Sequence, residues 1–253
     1  MPFSTALSGS ISPPLAQDHG ALTRNGRSDF ASTHCALDMD MKNSLSLLLT
    51  ILILSCNNQQ SHHTGKNNNM TKTKSQSHHK AVVLTADQFE DMEVYFPVFR
   101  LQEEGWIVTI AAPTMQTIYG EHGYGLKPDT TIDKVNPNDY DLLILPGGSP
   151  EGAPATVRKI KEAQDIATSF FVKNKLVATI CHGPYTLVSA GLVKGRHLTS
   201  YWHDGVPEEI KKGGGIWEDK DVVVDDNLVT SRWPADLPAF MRETMKMIRR
   251  SQK

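Results

Sequence analysis

The residues best placed to do chemistry begin with Cys181, inside the stretch LVATICHGPYTLVSAGL that starts at Leu176. Residues 176–180 are β-branched or apolar and read as a fully buried strand. The turn Cys181-His182-Gly183-Pro184 follows at once, and from Tyr185 the apolar spacing is helical. A cysteine on such a corner meets the unpaired N–H groups and positive dipole end of the helix, which favour thiolate over thiol. Tight elbows of this kind carry the nucleophile in several hydrolases. A buried cysteine acting as a small hydrophobe fits the same corner. Two other strand ends carry polar or flexible groups, Glu90 after the run 81–85 and Gly147-Gly148 after the run 140–145. On spacing alone Glu90 is a carboxylate favoured by a helix N-terminus, and the glycines are a strand-ending turn.

The elements that must position these groups are legible from periodicity. Residues 81–85, 106–111, 140–145 and 176–180 read as strands, with helical patterns ending at 104 and spanning 156–173 between them. In the first helix Val94, Val98 and Leu101 recur at three- and four-residue steps, Phe96 and Phe99 widen the face, and Gly105 stops it. Residues 113–131 are rich in glycine, lack a helical period and read as an irregular or hairpin insertion. The tail gives a strand at 197–201, a short helix at 207–212, a hairpin of 221–225 with 228–231, and a closing helix at 234–250. That last helix turns Phe240, Met241, Met245 and Ile248 inward. Strands alternating with helices make an α/β fold whose site lies at the C-terminal ends of parallel strands.

Composition divides the 253 residues. Positions 1–79 are rich in Ser, Asn, Gln, His and Thr, and apolar runs alternate with turns only from Lys80, which leaves one core. A net charge of −2 and a pI near 6.5 argue against a nucleic-acid surface. Cysteines at 35, 56 and 181 make no disulfide framework. Met41-Lys42-Asn43, the apolar run 44–54 and Ser55-Cys56 resemble a bacterial lipoprotein signal, in which the cysteine is lipidated and becomes the mature N-terminus. Cys56 would then anchor the chain to the cell envelope, facing the periplasm, with 57–79 as a polar linker; without use of the signal the chain is cytoplasmic. Residues 1–40 read as a spurious or disordered extension, translation starting at Met39 or Met41. The pairs His62-His63 and His78-His79 read as solvated linker, and no metal is assigned.

The phrases LTADQFEDMEV, LPGGSPEG, TICHGPYTLVSAGLVKGR, LTSY and VTSRWPADLPAFMRE resemble the ThiJ/PfpI, or intracellular protease I, family over about residues 80–250, nearer its protease-I branch. The resemblance implies a flavodoxin-like three-layer α/β sandwich with a mainly parallel sheet, no cofactor, and a homo-oligomer, dimer or hexamer. It implies Cys181 as nucleophile and Glu90 as the carboxyl contacting the thiol. Gly147 and Gly148 would supply an oxyanion-hole N–H beside the one that follows Cys181. His182 becomes the base, oriented by a glutamate from a neighbouring subunit. That glutamate's segment reads Ala153-Pro154-Ala155 here, which leaves Glu151 as its substitute. Tyr201 would orient a substrate carbonyl, or be a half-buried strand aromatic. His203 could act as acid or base in place of His182, or be a surface-loop histidine.

Three functions compete. The first is thiol chemistry on small reactive carbonyls, of the glyoxalase or deglycase kind, for stress protection. The second is a cysteine peptidase acting on peptides. The third, of another class, is a redox-sensing or chaperone-like stress protein in which Cys181 is oxidised.

Overall fold

The computed structural model describes residues 79–251, so the signal-like run, Cys56, His62-His63 and residues 1–40 lie outside the described residues. Chain order gives β1 (Lys80–Leu84), α1 (Asp91–Glu103), β2 (Ile107–Ala112), β3 (Ile118–Tyr119), β4 (Gly125–Leu126), β5 (Thr130–Thr131) and β6 (Leu142–Leu145). Then come α2 (Ala153–Val157), α3 (Lys161–Val172), β7 (Leu176–Ile180), α4 (Pro184–Ser189), β8 (His197–Leu198) and α5 (Val206–Lys212). β9 (Ile216–Trp217), β10 (Val222–Asp225), β11 (Leu228–Ser231) and α6 (Leu237–Ser251) complete the chain.

The main sheet is ordered β10-β11-β7-β6-β1-β2-β5. Every pairing in it is parallel except β10 with β11. Taken in chain order, the five strands β1, β2, β6, β7 and β11 run 2-1-3-4-5, the flavodoxin-like winding. Helix α1 packs against α6, which lies on β7, β10 and β11; α3 rests on β7 and packs with α4, which meets α5. The flavodoxin-like three-layer α/β expectation therefore holds. All five residues of β7 are buried. A central strand with parallel neighbours on both edges and helices on both faces has no solvent side, which is why this run shows no alternation.

Several elements differ from the sequence pattern. Phe96 and Phe99 are exposed, because the buried face of α1 runs through Glu93, Val94, Pro97, Val98 and Leu101. The pattern across 156–173 breaks into α2 and α3 at a turn where the Gln164 side chain donates to the Arg158 carbonyl. Within 113–131, β3 and β4 pair as a hairpin, as the glycines suggest, but β5 joins the main sheet beside β2. The strand at 197–201 shortens to β8, whose partner is β9.

Candidate active site

Cys181 sits directly after β7 with φ of +61°, a left-handed conformation that costs a side chain about 1–3 kcal/mol. Neighbouring strands hold it there. Its N–H donates to the Ser231 carbonyl at 3.1 Å, and its carbonyl accepts the Tyr201 N–H at 3.0 Å. The end of β6 comes up against the sulfur only because it is glycine. A Cβ on Gly147 would lie 2.6 Å from both Cys181 Cβ and Glu93 Oε2 and 2.9 Å from Sγ. Gly148 has φ of +141°, and a Cβ there would meet the Gln88 carbonyl at 2.3 Å.

The carboxyl against the thiol belongs to Glu93, which corrects the expectation for Glu90. Glu90 is the N-cap of α1, its Oε2 accepting the Glu93 N–H at 2.7 Å. One helical turn on, Glu93 is fully buried, and its Oε2 accepts the Gly147 N–H at 2.7 Å. Its other oxygen, Oε1, has no hydrogen-bond partner among the described residues. The physical reason is the direction of the helix face: position 93 lies on the stripe that continues through Val94, Pro97 and Leu101 into the core. Projecting that stripe backward to a carboxyl is the signal that finds Glu93.

His182 does bend back toward its neighbour. Its Nδ1 lies 3.2 Å from the Cys181 sulfur, and its Nε2 lies 3.1 Å from Asp204 Oδ2. A carboxylate accepts, so Nε2 carries the proton and Nδ1 faces the sulfur as an acceptor, a tautomer assigned from these contacts. The orienting carboxylate is thus Asp204 of the same chain. Glu151 is exposed and makes no hydrogen bond to His182. Asp204 has φ of +58°, and the Tyr185 hydroxyl donates to its carbonyl at 2.6 Å. Asp204 and Tyr185 were both missed in the sequence, where 22 residues separate the acid from its histidine.

The electrostatics invert one expectation. The Cys181 thiol is pushed well above its usual range, first by burial and then by the Glu93 charge; backbone N–H groups of His182 and Gly148 oppose this without reversing it. A one-turn dipole is weaker than the loss of solvent around a cysteine that is 7 % exposed. Glu93 is also raised well above the usual carboxyl range, by burial and then by the Glu90 charge. Burial lowers His182, with Asp204 opposing. Burial thus works against every charge in the site, favouring the neutral thiol, the protonated form of Glu93 and the neutral imidazole. Gly147 spends its N–H on Glu93, so the donors left for an oxyanion are the N–H groups of Gly148 and His182, neither of which has a backbone acceptor among the described residues.

A cleft of about 330 Å³ opens over the sulfur, lined by Glu90, Glu121, His122, Tyr201, Asp204 and Trp233 among others. The ring centre of Tyr201 is 5.0 Å from that of His182. His203 is exposed, packs on Tyr201 and Trp202, and does not line the cleft, so it is not brought to the sulfur. The wall formed by Glu121 and His122 is tied to α1 by Asp91, which is buried and accepts the N–H groups of His122 at 2.8 Å and Tyr124 at 3.2 Å.

The DJ-1/PfpI family matches residues 79–247. Deglycase PH1704 of Pyrococcus horikoshii is 49% identical over 170 residues, covering 67% of this chain and 99% of its own. Protein/nucleic acid deglycase 2 of Escherichia coli is 38% identical over 173 residues, 67% of this chain and 97% of its own. A Bacillus subtilis protein named putative cysteine protease YraA is 36% identical over 171 residues, with 67% and 98% covered. Among solved structures, Drosophila melanogaster DJ-1beta superposes with a TM-score of 0.59 at 28% identity, over 64% of this chain and 86% of that one.

Proposed function

The chain belongs to the DJ-1/PfpI family, and from that premise we propose that it is a cofactor-free enzyme using Cys181 on small reactive carbonyls, as a deglycase or glyoxalase. The observation that carries this reading is Glu93, a fully buried carboxyl packed against Cys181 whose pKa burial pushes well above the usual carboxyl range. Peptide hydrolysis has no use for a second proton carrier there; moving a proton between two carbons does.

The thiol passes its proton to His182 Nδ1 and the sulfur adds to the aldehyde carbon of a 2-oxoaldehyde, giving a hemithioacetal whose oxygen faces the N–H groups of Gly148 and His182. Glu93 gives its proton to that oxygen and, now ionised, removes the C–H proton from the same carbon and returns it to the neighbouring carbon; His182 gives its proton to the ketone oxygen, and the hydroxyl proton returns to Glu93 as the thioester carbonyl forms. The aldehyde carbon is oxidised to a thioester and the ketone reduced to an alcohol, so no outside oxidant is needed. Water cleaves the thioester, releasing a 2-hydroxy acid and restoring the thiol. A cleft of about 330 Å³ suits a substrate of this size. The test is conversion of methylglyoxal to lactate without glutathione, by the wild type, Cys181→Ala and Glu93→Gln. Lactate formed by either variant at the wild-type rate would sink the mechanism.

A second reading, a cysteine hydrolase, is favoured by the His182–Asp204 pair alone, which matches a nucleophile, base and orienting acid. Cleavage of fluorogenic peptides that survives Glu93→Gln and is lost in Asp204→Asn would establish it.

A further inference from the structure

We infer that the cleft selects electrophiles by charge, taking carbonyl compounds that carry an ammonium or guanidinium group and turning away 2-oxo acids and other anions, with Glu121 and Trp233 setting the preference. The substrate half of this rests on the carbonyl chemistry proposed for Cys181; the charge selection at the thiol stands separately. Three carboxylates, Glu90, Glu121 and Asp204, line the cleft, and among the described residues no lysine or arginine does. Two of them are engaged, Glu90 in capping α1 and Asp204 in holding His182. Glu121 is not. Its backbone N–H donates to the Phe89 carbonyl at 2.8 Å, which fixes it beside the start of α1, while its side chain forms no hydrogen bond or ion pair among the described residues. Arg232, which adjoins Trp233 in sequence, is committed to Asp236 and Asp219.

The lining is also aromatic. Trp233 is 40% exposed yet held edge-on by Trp202, with ring centres 5.3 Å apart. With Tyr201 it lines the space over the sulfur. A cation between a free carboxylate and an indole face gains from both, and an anion is repelled by both. The walls of a narrow cleft focus that field onto the one atom that reacts.

The test reads the thiol directly in the full chain. Cys181 is modified with methanethiosulfonate reagents bearing a trimethylammonium, a neutral methyl or a sulfonate group, and its labelling is followed by mass spectrometry of the Cys181 peptide. Rates are divided by those of the same reagents with free N-acetylcysteine. The cation is expected to exceed the anion by about tenfold or more after this correction, the ratio falling in Glu121→Gln, in Trp233→Leu and in 1 M salt (a Debye length of about 3 Å). A corrected ratio near one, or a ratio that Glu121→Gln leaves in place, overturns the charge selection. In parallel, phenylglyoxals with para trimethylammonium, hydrogen and carboxylate substituents are compared by kcat/KM. Turnover of none of them refutes the carbonyl chemistry and with it the substrate half; equal turnover of all three refutes the selection alone.

Discussion

Glu90 and Glu93 stand one helical turn apart and face different tasks. Glu90 caps α1 through the Glu93 N–H, so Glu90→Ala should lower stability by about 1 kcal/mol, read from denaturant unfolding. Glu93→Gln should keep the fold and lower kcat/KM for 2-oxoaldehydes about 100-fold or more, because the amide cannot carry a proton. Asp204 acts through His182. It holds the imidazole pKa up against burial, so Asp204→Asn lets that pKa fall further. The base must be unprotonated to act; the acidic limb of the Cys181 alkylation profile should therefore move to lower pH while its plateau drops about tenfold or more. The corner that holds Cys181 was legible from the strand-to-helix pattern, whereas its role as nucleophile came only from the family resemblance. Asp204 was not legible, because its approach to His182 depends on a left-handed loop 22 residues away that no local spacing encodes.

At the scale of elements, three strand ends build the site: β1 leads into Glu90 and α1, β6 into the glycine pair, and β7 into Cys181. Gly148→Ala should prevent the end of β6 from closing. The new methyl would need a φ of +141° and would meet a backbone carbonyl at 2.3 Å, so a loss of about 3 kcal/mol or more is expected in denaturant titration. The strand runs were readable because buried parallel strands are apolar or β-branched throughout, as 176–180 and 142–145 show. Boundaries were less so. The step between α2 and α3 contains neither proline nor glycine, and Phe96 and Phe99 look like core residues until the rest of the helix face is traced.

Across the whole molecule, the α/β winding followed from the alternation of runs, whereas the order 2-1-3-4-5 needed the pairing itself. A buried carboxyl also writes a pH dependence into global stability. Folded Glu93 holds its proton more tightly than the unfolded chain does, whose ordinary value is 4.5. Its contribution is therefore complete below that pH and is lost as pH rises through the folded pKa. The stability difference between the wild type and Glu93→Gln should shift against the wild type from pH 5 to pH 8 in thermal melts; a constant difference would mean that Glu93 is not held protonated. Asp91 has a consequence on another clock. Because its buried carboxylate holds the amides of His122 and Tyr124, those two protons can exchange with deuterium only when the first turn of α1 opens. The cleft wall then belongs to the same cooperative unit as the helix rather than to a swinging lid. Asp91→Ala would release the two amides to fast exchange while those of β6 and β7 keep their protection.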